Sequence, residues 1–482
     1  MKKLLFFITL LICASAAEKD LYIFQTTDIH GESSNFLRVS TAIKQYREKY
    51  GADKLLLVDS GDTTQGTLDA YLTLGKITLD MMNAMKYDAW VPGNHDIEFG
   101  TEQFIKNLAM CKFPVLNGNL SLKNKFLPSY KIIDKSGVKI ALIGMNTSWL
   151  SKWYWGKRYK NYQVIKVEDA LVKVMPDILK QKPDIIVLAI HQGYVFQNSP
   201  SSRVKDISNR FPEIDIILGG HSHQKIAGKN LWSGSFYAQA GEYAKEFIFM
   251  KLKIDTVKKR LIHCESVLLP SSKFKKDAEL EKKLAKEFQM IRDIKKKLIH
   301  KFDEPKLIAA IPGVDCPIQS LICQSIKWKT SANAVLYNRM QRELNGHFTE
   351  NELFKAIPYE NYLVTLTVNR SELAEIVKEQ FLKNSFANYG LYGIKFDIDL
   401  KKKLFSPQMK PDETITLALS TFLAASGGGR FSFLAKLCDE RAKEFDFNIR
   451  DVLREFLLTK PKIHPAKLWY NMKSPGIKKA PR

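Results

Sequence analysis

Five short motifs, each following an apolar run, carry the residues best suited to chemistry. They are Asp28-Ile29-His30, Gly61-Asp62, Gly93-Asn94-His95-Asp96, His191-Gln192-Gly193 and Gly220-His221-Ser222-His223, and they hold five of the nine histidines. Neutral imidazoles and carboxylates are what first-row divalent metals bind. Asp28, His30, Asp62, Asn94, His191, His221 and His223 are too many ligands for one ion. Two divalent ions sharing a carboxylate is the economical reading. Such ions, about 3.5–4 Å apart, can hold a phosphate, lower the pKa of a bound water and stabilise a leaving oxygen. Asp62 is the natural bridge, since a carboxylate has two oxygens and neutralises part of a crowded positive charge.

The motifs must be positioned by strands. Leu21-Tyr22-Ile23-Phe24 leads to Asp28, Leu55-Leu56-Leu57-Val58 to Asp62, Ile185–Ile190 to His191, and Ile214–Leu218 to His221. Short Ile/Val/Leu runs suit strands buried on both faces. The first three motifs are about thirty residues apart, the size of a βαβ unit. Val39, Ile43, Tyr46 and Tyr50 recur at helical spacing between two of them. Strand-end loops in such sheets gather at one edge, where ligands bind. His263, His300, His347 and His464 stand alone and read as surface or satisfied core histidines.

In this order the motifs resemble the calcineurin-type metallophosphoesterases. The longer context is similar to the bacterial 5'-nucleotidase family, which includes UDP-sugar hydrolases and 2',3'-cyclic-nucleotide phosphodiesterases. Thr26-Thr27-Asp28-Ile29-His30-Gly31-Glu32, Asp59-Ser60-Gly61-Asp62 and Val91-Pro92-Gly93-Asn94-His95 carry that likeness in the first half. Pro358-Tyr359-Glu360-Asn361, Gly393-Ile394-Lys395-Phe396 and Phe422-Leu423-Ala424-Ala425-Ser426-Gly427-Gly428 carry it in the second. The resemblance implies that Asp28, His30 and His223 bind one metal, that Asn94, His191 and His221 bind the other, and that Asp62 bridges them. An N/O site of this kind would suit Mn, Zn, Co, Fe or Mg. His95 becomes the general acid or transition-state stabiliser, oriented by a carboxylate three residues on. In the family that carboxylate is usually Asp, and here it is Glu98. Asp96 stands where Glu is common.

The second half departs from the family pattern. The N-x-G-G-x-R segment is replaced by Asn338-Arg339-Met340-Gln341-Arg342, which leaves Asn338 and Arg342, or Arg339, to meet a phosphate. The G-G-D-G loop reads Gly427-Gly428-Gly429-Arg430, without its ribose-binding Asp. Phe422 matches one base-stacking ring, and the other falls at Asn388 or Tyr389. Stacking tolerates any base, because every base has a π-face. The glycine run suits either a close backbone approach to ligand or a plain tight turn.

At 482 residues the chain is long enough for two domains. Lys2-Lys3, an apolar stretch from Leu4 to Ile12 and Ala14-Ser15-Ala16 read as a signal peptide over 1–16. Periplasmic or secreted localisation follows, with no transmembrane segment in the mature chain. Export implies an oxidising compartment. Cys111, Cys264, Cys316, Cys323 and Cys438 are five, and Cys316 and Cys323 are expected to share a helix, so neither a disulfide framework nor a catalytic thiol is expected. The formal charge of +23 reads as lysines spread over solvated faces. Basic runs such as Lys295-Lys296-Lys297 lack interleaved aromatics, so no specific nucleic-acid partner is expected.

The expected architecture is α/β. It is a two-sheet metallophosphoesterase sandwich with flanking helices over 17–270, the sandwich being implied by the resemblance. A linker helix over 271–302 follows, because Leu280, Leu284, Phe288, Ile291, Ile294 and Leu298 keep helical spacing. A smaller α+β substrate domain spans 303–460. In it Asp315 and Pro317 open a helix, Val335–Tyr337 and Leu363–Val368 are strands, and Ser371 caps a helix. A loose basic tail closes the chain over 461–482. The expected function is hydrolysis of nucleotides or related small phosphate esters by a metal-bound hydroxide. The rival is a secreted metal-containing binding protein of the same fold with lost or altered turnover.

Overall fold

The computed structural model describes residues 18–194, 200–307, 317–338, 343–382, 389–461 and 470–472. The signal segment, Cys316, Asp315, Arg339, Arg342 and Asn388 lie outside them.

The first half is a sandwich of two mixed sheets. One runs in the order Arg260–Pro270, Glu246–Asp255, Glu18–Thr26, Leu55–Asp59, Ala89–Trp90. The other runs Lys225–Asn230, Phe236–Ala240, Ile216–Leu218, Ile185–His191, Val138–Asn146, Tyr130–Lys135. Alternation explains the unbroken apolar runs. Leu56 and Val58 point between the sheets, against a layer that includes Leu142 and Val187. Leu55 and Leu57 point the other way, onto Phe36, Val39 and Ile43 of the helix Ser33–Tyr50. Ile143, Leu188 and Ile217 likewise meet Leu171 and Ile178 of the helix Val167–Lys180. The central strands Leu55–Asp59 and Ile185–His191 therefore have both faces covered, and each fully buried Leu or Ile contributes about 1.5–3 kcal/mol.

The second half is built on a five-stranded sheet, Tyr389–Tyr392, Ala334–Asn338, Thr414–Ser420, Tyr362–Asn369, Lys443–Asn448. Leu373, Ile376 and Leu434 of two helices cover one face. Ile322, Ile326 and Leu453 of two others cover the opposite face. The overall class is mixed α/β, as the sequence pattern predicts.

Three local expectations need correction. The single linker helix is two short helices, Ala278–Lys283 and Ala285–Lys295, and Leu298 opens a strand running to Leu307. That strand pairs antiparallel with Leu344–Thr349, and the pairing overrides the helical spacing. Ser371 is not the cap of its helix. Asn369 Oδ1 accepts the Glu372 N–H at 3.0 Å, with Ser371 Oγ donating to the same oxygen. The terminal stretch is not wholly loose, since Tyr470–Met472 adds a parallel strand beside Phe396–Asp399. The helix expected at Asp315 and Pro317 runs Pro317–Thr330.

Among the described residues, no helix is long and apolar enough to cross a membrane. Among the described residues Cys111, Cys264 and Cys438 form no disulfide, and burial pushes their thiols up to about 12.

Candidate metal centre

The motif loops converge at one edge of the sandwich. Five of the seven candidate ligands, Asp28, His30, Asp62, His221 and His223, have φ between 50° and 70°. L-residues held there cost roughly 1–3 kcal/mol each, together comparable to a whole domain's net stability. Hydrogen bonds between the loops offset that cost. Asp28 and His30 donate their N–H groups to the carbonyls of Gly61 and Asp62 at 2.7 and 2.8 Å. Asp96, fully buried, accepts N–H bonds from Asp62, Thr63, Thr64 and Gly93 at 2.7–2.9 Å. It is the rivet between two motifs. Gly61 is required by close approach, since a Cβ there would lie 2.6 Å from Gly93 N and Val91 O.

Two ligand groups result. Ligand atoms of Asp28, His30 and His223 all lie within 4.8 Å of one another, and so do those of Asp62, His191 and His221. Asn94 Oδ1 sits 2.9 Å from His221 Nδ1, beside the second group. Asp62 Oδ2 is 3.0 Å from His191 Nε2, while Oδ1 accepts the His95 N–H at 2.7 Å.

The donor chemistry fits cations. His30 Nδ1 lies 2.9 Å from the Gln65 carbonyl, so it carries the proton and leaves Nε2 as a lone pair. His223 Nδ1 is tied to Glu242 Oε2 at 2.6 Å. The two Nε2 atoms face each other at 3.0 Å with Asp28 Oδ1 3.4 Å from His223. His191 Nδ1 bonds the Ser60 carbonyl at 2.7 Å, and its buried Nε2 faces the Asp62 carboxylate. Second nitrogens held by carbonyls or carboxylates fix tautomer and orientation in metal sites. Burial lowers His30 to about 4 and His221 to about 3, keeping both neutral, as ligands must be. Burial also disfavours charge on His223, but Asp28 and Glu242 outweigh it and raise that ring to about 11. The same anionic field favours a cation.

His95 belongs to neither group. Its Nδ1 is held by Glu98 Oε1 at 2.6 Å, and its Nε2 faces Asp62 Oδ2 at 3.9 Å. Burial opposes its charge, but Glu98 and then Asp62 outweigh burial and lift it to about 8.

A cavity of ≈ 540 Å³ opens beside His95, walled by both halves of the chain. Asn338 and Phe422 line it, together with Trp149, Trp153 and Arg430. Tyr389 is not on its wall. It is buried, edge-on to Phe431 at 4.8 Å, with Arg430 Nη1 3.2 Å from its hydroxyl. Arg342 lies outside the described residues. Ser426 to Gly429 all have positive φ, between 56° and 95°. Gly428 donates to the Lys152 carbonyl at 2.9 Å, and a Cβ on Gly429 would stand 3.2 Å from the Trp149 ring. The glycine run is thus a left-handed turn pressed against tryptophans of the first half. Trp153 reaches the second metal group, with its ring 5.1 Å from that of His221. These tryptophans were missed from sequence. The cluster Trp149-Leu150-Ser151-Lys152-Trp153-Tyr154-Trp155 was the available signal.

Comparison with known proteins gives two matches along the chain. Residues 21–225 match the calcineurin-like phosphoesterase model, and residues 307–436 match the 5'-nucleotidase C-terminal domain. The Bacillus subtilis protein named endonuclease YhcR is 23% identical over 457 residues, covering 85% of this chain and 37% of that protein. The Haemophilus influenzae NAD 5'-nucleotidase is 32% identical over 207 residues, covering 41% of this chain and 32% of that protein. The chain therefore spans well under half the length of these curated relatives. A 5'-nucleotidase precursor of Thermus thermophilus shares the fold, with a TM-score of 0.75 at 18% identity over 95% of this chain and all of that one. The chain thus carries a region matching the calcineurin-like phosphoesterases followed by one matching the 5'-nucleotidase C-terminal domain, in the order its motifs imply.

Proposed function

We propose that the protein is a dinuclear-metal phosphoesterase that hydrolyses nucleotides, as a 5'-nucleotidase or 2',3'-cyclic-nucleotide phosphodiesterase, or related small phosphate esters. The observation that carries the reading is the pairing of two converging ligand groups with an imidazole that belongs to neither. Asp28, His30 and His223 would hold one divalent cation. Asn94, His191 and His221 would hold the other, with Asp62 between them. Bound, the cations would supply Lewis acidity to a phosphoryl group and to water.

The chain's own residues supply the rest. His95 keeps Nδ1 on Glu98 and presents Nε2 toward the Asp62 side, where a proton can pass to the departing oxygen. Proton donation of this kind contributes about 10²–10⁴-fold. Phe422 and Trp153 offer apolar walls to the remainder of the ester, and Arg430 and Asn338 offer polar groups. No carboxylate stands in the 427–430 turn for ribose hydroxyls, so recognition there rests on stacking and charge. The leader Met1–Ala16 would direct the chain to the periplasm or outside the cell.

The test is hydrolysis of p-nitrophenyl phosphate, 5'-, 3'- and 2',3'-cyclic nucleotides and UDP-sugars by purified protein with Mn²⁺, with and without prior EDTA. Metal-dependent release of phosphate or nucleoside is expected. Stoichiometric metal binding with no turnover of any of them would favour a binding protein instead.

A further inference from the structure

The carboxylate that orients His95 is completed by the other half of the chain. Glu98 is buried, and its two oxygens face different halves. Oε1 takes His95 Nδ1 and lies 3.2 Å from the Tyr154 hydroxyl. Oε2 accepts the backbone N–H of Glu360 at 3.0 Å. Next to that N–H, the Tyr359 ring lies parallel on the His95 imidazole, with centroids 5.0 Å apart and planes 16° apart. The strap Pro358-Tyr359-Glu360-Asn361 thus touches both members of the dyad.

The strap is held firmly. Gln65, in the loop after Asp62, donates Nε2 to the Pro358 carbonyl at 2.7 Å. Arg450, wholly buried, donates Nε to the Ile357 carbonyl at 2.9 Å and Nη2 to Glu360 Oε1 at 2.7 Å and the Tyr359 carbonyl at 3.2 Å. Asn448 Nδ2 binds the other Glu360 oxygen at 2.7 Å. The guanidinium also covers Phe354 at 3.8 Å and Tyr71, from the first half, at 4.7 Å. A buried ion pair costs desolvation on both sides and is weak evidence of stabilisation by itself. Its geometry fixes one backbone N–H and one ring on the dyad.

We propose that Tyr359, with the Glu360–Arg450 pair behind it, positions the His95–Glu98 dyad, so that docking of the C-terminal half sets the proton-donating geometry. The inference rests on His95 acting as proton donor. Outer partners that orient a site residue are worth about 10–100-fold in activity.

Leaving-group chemistry separates positioning from mere structure. An alkoxide must be protonated as it departs, whereas p-nitrophenolate leaves unaided. In the full-length protein saturated with Mn²⁺, Tyr359→Leu should lower kcat for glycerol 2-phosphate about 10–100-fold. KM should stay within about twofold, and p-nitrophenyl phosphate turnover within about threefold. In a His95→Asn background Tyr359→Leu should cost nothing further, since the group it positions is gone. Arg450→Lys, which keeps the charge but not the forked donors, should reproduce the same leaving-group bias with metal content unchanged. Amide hydrogen exchange over 357–361 should quicken in Glu98→Ala. The proposal is overturned by equal losses on both substrates, by equal losses with and without His95, by a rise in KM alone, or by unchanged exchange. If His95→Asn itself kept full turnover of the alkyl ester, the proton-donor reading would fail first, and the exchange result would still report whether the strap docks on Glu98.

Discussion

The Nε2 atoms of His30 and His223 face each other at 3.0 Å, while Nδ1 of each ring is tied to Gln65 or Glu242. Two nitrogen lone pairs do not meet at that distance without a shared cation or proton. With Asp28 beside them, the three form a candidate ligand group.

Removing the Asp62 carboxylate, the proposed bridge, should be the most damaging single change. Asp62→Ala takes away a member of the second group and the acceptor of the His95 N–H. It should abolish phosphatase activity and lower metal content. Retention of most of the wild-type rate, measured with p-nitrophenyl phosphate, would exclude a two-metal mechanism.

His95→Asn should keep its metals, because the ring belongs to neither group, yet turnover of an alkyl ester should fall by about 10²–10⁴-fold. Glu98→Gln should cost less, since it loosens the ring without deleting it. Loss of metal from His95→Asn would move that imidazole among the ligands.

Glu242→Gln weakens the bond that fixes His223. Metal affinity of one site should drop by about 10–100-fold, with the other unaffected, as read by competition with a chelator. Equal weakening of both sites would mean that Glu242 acts on the general field and not through His223.

Selectivity for ribose should be weak. A site that bonds a substrate hydroxyl rejects analogues lacking it strongly, and one without such bonds discriminates little. The 427–430 turn presents no carboxylate, so kcat/KM for AMP and dAMP should agree within about tenfold. A hundredfold preference for AMP would assign the ribose hydroxyls to another group, such as Asn338 or Arg430. Gly429→Asp is a poor rescue, because φ is +82° there and Trp149 stands 3.2 Å from the new Cβ.

The Asp215 carboxyl gives a pH signature of stability. Burial pushes it up to about 6, so the folded protein holds this proton more tightly than the unfolded chain. Its contribution is present below the ordinary carboxylate range and is lost as pH rises through about 6. Asn can still accept the Ile186 N–H that Asp215 Oδ2 takes at 2.8 Å. Asp215→Asn should therefore melt higher than wild type at pH 8 and show no such advantage at pH 4. A pH-independent difference between the two would show that burial is not what shifts this group.

What the sequence revealed, and what it hid, has physical causes. The candidate ligands and their strand-end placement were legible because the apolar runs Leu55–Val58 and Ile185–Ile190 mark strands buried on both faces, and Asp and His after them have few structural uses. The Glu360 N–H on Glu98 was not legible, since a backbone donor leaves no trace in side-chain identity. Tyr389 was misplaced as a stacking ring because an aromatic near a ligand loop and an aromatic beneath it look alike in one dimension. Leu298 kept helical spacing yet joined a strand, since pairing across more than forty residues decides its state. Trp149 and Trp153 carried a compositional signal whose meaning depends on the glycine turn packed against them from the other half.

Metal stoichiometry tests the central claim most directly. Full-length protein saturated with Mn²⁺, desalted and measured by elemental analysis should hold two equivalents. His30→Ala and His191→Ala should each hold about one, because each strips one group while the other stays intact. A single equivalent in the wild type, or two retained in both variants, would contradict a centre built from these two ligand groups.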